Sequence, residues 1–272
     1  MGSRSLEIGS GVEPLVGLMR RFAVELINGH DAAVCAEIMA PDYRLRIGGQ
    51  LIAGRDEHYV PAIQSQFDQF PGMGMTVHRL LVSGDRCALH FSEHGASGGS
   101  GGRLAAWQGI ALYRSREGRL GDCVVEEDYF ARRRQLTSGL VDPIAPPSVA
   151  PWDTVAQAPD LQAEAVVRRW LEQSWPAATK DLLCDDEHLG SGPQLAFEVT
   201  AVEVTELFSA GSEVAFHVRQ SGRYRGGLPG IPGASTAAAL FCAGIVEVAD
   251  GAVRAGSVIR DRAGLQRALR AG

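Results

Sequence analysis

Residues Leu112–Leu136 read LYRSREGRLGDCVVEEDYFARRRQL, and Val246–Leu269 close the chain with VEVADGAVRAGSVIRDRAGLQRAL. Both stretches run strand, acidic-Gly turn, strand, a single Asp, then an Arg-rich tail ending in Leu. A spacing of 133 residues pairs Gly118 with Gly251, Asp128 with Asp261, Arg134 with Arg267 and Leu136 with Leu269. Self-similarity of this kind outranks any element-by-element reading. The repeat continues upstream. Gly84-Asp-Arg-Cys-Ala-Leu-His90 matches Gly211-Ser-Glu-Val-Ala-Phe-His217 at a spacing of 127, and Leu18-Met-Arg-Arg-Phe22 matches Val166-Val-Arg-Arg-Trp170 at 148. The spacing falls by 148 − 127 = 21 and then rises by 133 − 127 = 6, so the second half has lost and gained segments of those sizes.

The lost piece is Gly54 to Phe70, where Tyr59, Ile63, Phe67 and Phe70 fall at helical spacing and Pro61 sits in a first turn. The gained piece is Gly226 to Gly233 (GGLPGIPG), a loop by composition. The first half predicts a helix over Val16–Asn28, a second over Ala32–Met39 capped by Asp31, a short strand Tyr43–Ile47, and the third helix. Four strands follow: Met75–Val82, Arg86–His94, Arg103–Tyr113 and Arg119–Tyr129. Helices first and a meander last predict an α+β fold, with helices roofing a curved antiparallel sheet to make a cone. The expected organisation is a disordered leader at 1–12, a first domain at 13–140, a Pro-rich linker at 141–160 and a shortened second domain at 161–272. The two domains are expected to dock as an intramolecular pseudo-dimer, which can in turn pair as a homodimer.

A net charge of −6 argues against non-specific nucleic-acid binding. No apolar run is long enough for a membrane span. The five cysteines form no CxxC pair, which removes zinc and thiol-redox motifs and predicts reduced thiols in a cytoplasmic protein. Serine-hydrolase, P-loop and dinucleotide motifs are absent, and no helix opens after the glycines of 95–102.

Three helices, a bent meander and a last strand ending in Asp resemble the nuclear transport factor-like fold shared with ketosteroid isomerase, and more narrowly the SnoaL-like polyketide cyclases. Val124-Val-Glu-Glu-Asp128 with Arg134-Gln-Leu136, Val258-Ile-Arg-Asp261, Asn28-Gly-His-Asp31, Ala40-Pro-Asp-Tyr43 and the Gly226–Gly233 loop carry that resemblance. The His-Trp pair common before the terminal Asp is replaced by Cys123-Val124 and by Gly256-Ser257. The resemblance implies a cofactor-free, metal-free cyclase or isomerase acting on a small, largely apolar substrate, with Asp128 as acid/base.

On its own residues, Asp128 has two readings: a base aimed into the cone with Glu126 and Val124 on its face, or the N-cap of the Arg-rich tail. Asp261, between Arg260 and Arg262, reads as a cap or ion-pair partner. His94 is placed to polarise a carbonyl or pair with Asp128. His90 and its counterpart His217 read as core histidines that also border the pocket, and Glu93, facing the other way, as solvated. Tyr43, Tyr59, Phe67 and Trp107 suit either a flat substrate or an ordinary core. Two other functions compete: epoxide opening or hydration, which wants a second carboxylate or an Arg beside the base, with Glu126 and Arg103 as candidates, and a non-catalytic binding module.

Overall fold

The computed structural model describes residues 13–173, 175, 181–233 and 235–271. The expected leader at 1–12 lies outside them. In the first half, helix α1 (Pro14–Arg21) starts on a proline at its first turn and runs on as a π-helical turn, Phe22–Ile27. Its buried face is Leu15, Val16, Met19, Phe22, Ala23, Leu26 and Ile27. Asp31 caps the next turn by accepting from the Ala33 amide at 3.0 Å, but the helix there is short, α2 (Cys35–Ile38). Met39 already belongs to strand β1 (Met39–Ile47), which turns at Gly48-Gly49 into a strand the sequence did not announce, β2 (Gln50–Ala53). A π-helical turn Arg55–Tyr59 leads into α3 (Val60–Gln69).

The long strands are β3 (Gly74–Ser83), β4 (Arg86–Ser97), β5 (Arg103–Arg116) and β6 (Arg119–Glu127), and α4 (Tyr129–Ser138) ends the half. The sheet order is β2-β1-β6-β5-β4-β3. The meander is antiparallel, as expected, and β1 joins it by pairing with β6 in parallel. The chain between the halves runs along β3. The Ser148 amide donates to Val77 O at 2.8 Å and the Gln157 amide to Val82 O at 2.9 Å. That strap covers an edge that would otherwise invite strand addition.

The second half repeats the plan with α5 (Leu161–Gln173), β7 (Asp181–Cys184), β8 (Ala196–Ala210), β9 (Glu213–Gly226), β10 (Thr236–Ala249), β11 (Ala252–Arg260) and α6 (Arg262–Ala271). Its order, β7-β11-β10-β9-β8, again includes one parallel pair, β7 with β11. Between β7 and β8 stands only a 3-10 turn, Glu187–Leu189, where the first half has α3. The Gly226–Gly233 loop folds back over Tyr224, whose hydroxyl donates to Ile231 O at 3.1 Å and accepts from the Leu228 amide at 2.8 Å.

The two sheets pack face to face. Leu81, Ala88, Ile110, Leu112 and Val124 of the first half share one apolar cluster with Phe208, Ala210, Ala215, Ala243, Ile245 and Ile259 of the second. Two histidines are buried near this layer. Burial pushes His90 and His217 down to about 4 from an ordinary 6.5. A histidine that is neutral when folded but protonated when unfolded contributes stability in full above about 6.5, and that contribution is lost as pH falls toward 4. Thermal unfolding of wild type and a His90→Gln, His217→Gln variant between pH 7 and 4 should therefore show the wild type losing more stability on acidification. Parallel curves would contradict the burial assignment.

Candidate active site

Side chains alternate along a strand, so one face of β4 carries Leu89, Phe91 and Glu93, and one face of β6 carries Cys123, Val125 and Glu127. These are the faces turned toward α1 and α3: Leu89, Phe91, Cys123 and Val125 all join the core cluster beneath those helices. Inside lies a cavity of about 250 Å³, lined by apolar side chains with Tyr43, Tyr59, Tyr113, Tyr129, Gln66, Glu93 and Glu127 among them. The strand register brings its two carboxylates together. Glu93 lies opposite Trp107 on β5, and Glu127 lies opposite Gly109, the next β5 residue on that face.

Glu93 is only 4% exposed, and Glu127 is half-buried on the cavity wall. Gln66 donates to Glu93 Oε2 at 2.6 Å, and the Trp107 indole donates to Glu127 Oε2 at 3.0 Å. Burial pushes the Glu93 carboxyl well above the ordinary range and the nearby Glu127 adds to it, while Arg132, Gln66 and Trp107 pull it back. Burial likewise raises Glu127, against the hydrogen bond from Trp107 and the charge of Arg132. Two carboxyl groups in one apolar site oppose each other's ionisation, which favours one proton on the pair. The Arg132 guanidinium lies 4.1 Å from the Tyr129 ring centroid and 5.0 Å from that of Trp107. It sits behind the aromatic wall and makes no ion pair among the described residues. Trp107→Phe removes a hydrogen bond that favours the ionised form of Glu127, so the pair should titrate higher in that variant. Carboxyl-resolved NMR checks this, and a downward move would contradict it.

The residues named from sequence divide sharply. Tyr43 and Tyr59 line the cavity, and Trp107 borders it through Glu127. Phe67 is buried in the surrounding core and stacks on His30 at 4.4 Å. Asp128 does not line the cavity. It caps α4 by accepting from the Ala131 amide at 3.0 Å, and both its oxygens bind Arg262, at 2.8 and 2.6 Å. The expectation of a base at Asp128 is thus corrected to a cap and ion-pair partner. His94 faces the other side of β4, bonds Thr76 Oγ1 at 3.2 Å and packs over Gly74, so it pairs with no carboxylate. His90 bonds Gln108 Oε1 at 2.9 Å, away from the cavity. Glu126 lies between the sheets, 2.9 Å from His217 Nε2. Arg103 bonds the Leu136 and Thr137 carbonyls. Asp261 caps α6 through the Gly264 amide at 2.7 Å. Glu93, expected in solvent, is inside.

Glu93 and Glu127 were missed because the parity of β4 and β6 was read one residue out, which turns every side chain to the other face. Gln66 lies on α3 and Tyr129 and Arg132 on α4, and no strand pattern marks them. The repeat also shows what the second half lacks. At the same spacings Glu93 becomes Gln220, Trp107 becomes Leu240, Glu127 becomes Arg260 and Tyr129 becomes Arg262. Arg260 is 5% exposed and paired with Asp185 and Glu187, each at 2.6 Å. The second half therefore has no carboxyl pair at this place. Among the described residues, no group of three or more His, Cys, Asp or Glu is placed to hold a metal ion, and no helix is long and apolar enough to cross a membrane.

Residues 19–122 match the family model described as a SnoaL-like domain. No curated protein matches the chain. Among solved structures, a candidate SnoaL-like polyketide cyclase from Jannaschia sp. CCS1 is 21% identical, covering 54% of this chain and 100% of its own at a TM-score of 0.43. IdmH, a candidate polyketide cyclase from Streptomyces antibioticus, is 20% identical over 46% of this chain and 99% of its own, at 0.40. An LEH-like epoxide hydrolase of M. tuberculosis is 12% identical over 47% and 88%, at 0.41. Residues 19–122 are thus similar to a SnoaL-like domain, and Glu127 and Tyr129 of the cavity lie just beyond the matched stretch.

Proposed function

We propose that the first half is a cofactor-free acid/base enzyme of the cyclase or isomerase type, working on a small, mostly apolar carbonyl compound, with Glu93 and Glu127 moving the proton. The observation that supports it is a pair of carboxyl groups at the wall of one apolar cavity, both raised by burial. The ionised member takes the proton from a carbon next to a carbonyl, and the protonated member donates to that carbonyl's oxygen. The enol carbon then attacks a second carbonyl and a C–C bond forms; as the enol becomes a carbonyl again its O–H proton returns to the carboxylate that gave it, and the new alkoxide takes the proton held by the other carboxyl. Acid and base in one cavity let both transfers occur without free ions in an apolar site.

Arg132 beside the pair favours a second reading. A carboxylate takes a proton from water, the water oxygen attacks an epoxide carbon, and the protonated partner delivers its proton to the departing oxygen, giving a vicinal diol. Solvent isotopes separate the two. With a small aryl 1,3-diketone in D2O, the first reading predicts protein-dependent deuterium uptake at the α-carbon. With a cyclic alkene oxide in H2¹⁸O, the second predicts labelled diol. Neither label appearing above the Glu127→Gln background would sink both and leave a binding module.

A further inference from the structure

The repeat has placed different residues at one position in the two halves, and each serves the same site. Tyr129 follows the cap Asp128 and lines the cavity. Its counterpart Arg262 follows the cap Asp261 and bridges the halves, binding Asp128 of the first as well as Asp185 and Asp186 of its own. Arg262 is 0% exposed. Its guanidinium binds both Asp128 oxygens, Asp186 Oδ1 at 2.6 Å and Asp185 Oδ2 at 3.2 Å, and lies 4.8 Å from the Phe130 ring centroid. Phe130 itself belongs to the apolar core of the second half. Arg134, one turn further along α4, binds Asp186 at 3.0 Å. Within four consecutive residues Glu127 and Tyr129 line the cavity, Asp128 binds Arg262, and Phe130 joins the second half's core, which Tyr129 also touches. Nothing equivalent runs the other way. Asp261 caps its own helix and meets no arginine among the described residues.

From this one-way arrangement we infer that Arg262 is a positioning residue for the first-half site, and that the second half, which lacks the carboxyl pair, is retained as the fixed frame that holds Glu127 and Tyr129 in place. The fixed point is the buried Arg262 guanidinium, whose Nη2 meets both Asp128 oxygens while its Nε lies 3.2 Å from Asp185, so the plane of the group is held from two sides. Because Asp128 is one peptide from Glu127 and one from Tyr129, a rotation of Asp128 carries both. The inference rests on the Glu93–Glu127 reading for its functional meaning, but its geometry is testable whether or not the first half is an enzyme.

The reporter is the Trp107 indole, which donates to Glu127 Oε2 at 3.0 Å and is remote from Arg262 in sequence. In ¹H–¹⁵N spectra of the full chain, Arg262→Met should move the Trp107 indole resonance toward that of an unbonded indole, with Trp152 as an unmoved control. Arg262→Lys keeps the charge without the second nitrogen that faces Asp185, and should give a smaller move in the same direction. Arg260→Met breaks a buried ion pair of the second half that does not include Asp128, and should leave Trp107 in place. An unchanged Trp107 in folded Arg262→Met overturns the inference. If that variant does not fold, an unchanged Trp107 in Arg262→Lys overturns it. An equal move in Arg260→Met also overturns it, because the effect would then be general loosening. A Trp107 response together with no loss of turnover in Glu127→Gln would leave the positioning intact and sink the enzyme reading instead.

Discussion

Glu127→Gln should lose proton transfer by about 10²–10⁴-fold and at the same time unfold at a higher temperature than the wild type at neutral pH. Both effects come from one feature. Glutamine fills the same space and can still accept from the Trp107 indole, but it cannot take or give a proton. The stability gain follows from linkage. The folded-state carboxyl of Glu127 is raised above its ordinary 4.5 by burial, so above that pH the folded state binds more protons than the unfolded one. Wild-type stability therefore declines as pH rises from about 4.5 toward the folded value. The variant escapes that decline, so the difference in melting temperature should widen from pH 5 to pH 8. A site that is costly to the fold and necessary to the chemistry is the usual trade-off between stability and activity. Melting curves of the two proteins across that pH range check it. A variant that is inactive but less stable at every pH would mean that Glu127 is a structural hydrogen-bond partner only.

The second large effect is on the fold itself. Arg262→Met should cost about 3–5 kcal/mol, because Asp128, Asp185 and Asp186 stay buried after their shared cation is gone. Burial already pushes Asp128 up, to about 6, with Arg262 as the main opposing influence. Removing the guanidinium leaves that carboxyl neutral, and the N-cap it supplies to α4 weakens with it. Arg254→Met is the contrast: its partner Asp250 is exposed, and such pairs contribute little. Urea unfolding of the three proteins gives the comparison. Equal midpoints for Arg262→Met and wild type would show that the buried network contributes nothing to holding the halves together.

Much of the fold was legible because a repeat is read twice. The recurrence of Gly118, Asp128 and Leu136 at Gly251, Asp261 and Leu269 located the hairpin, the cap and the tail in both halves. The missing third helix appeared directly as a fall in spacing. The site was less legible because both faces of this sheet are covered. Helices bury the face with Phe91 and Glu93, and the second half buries the face with Ala88, His90 and Ser92. With no solvent-facing side, alternation no longer says which face is which. A histidine pair and a repeated Asp were the visible signals, and both lie on the buried interface. Parity could have been set from Cys123 and Val125, which continue to Glu127, and from Leu89 and Phe91, which continue to Glu93. A glutamate that extends an apolar face is a better lead than one among polar neighbours. The strand β2 and the parallel β1–β6 pairing left no such trace, since Gln50–Ala53 is short and parallel partners are distant in sequence.

The most direct test of the central claim is a carboxyl-resolved NMR titration of the wild type, Glu93→Gln and Glu127→Gln. A shared proton requires both glutamates to titrate above 4.5 in the wild type and each to fall when the other is neutralised. Titration of both near 4.5, or of each without regard to the other, would contradict a proton-sharing pair and with it the acid/base site.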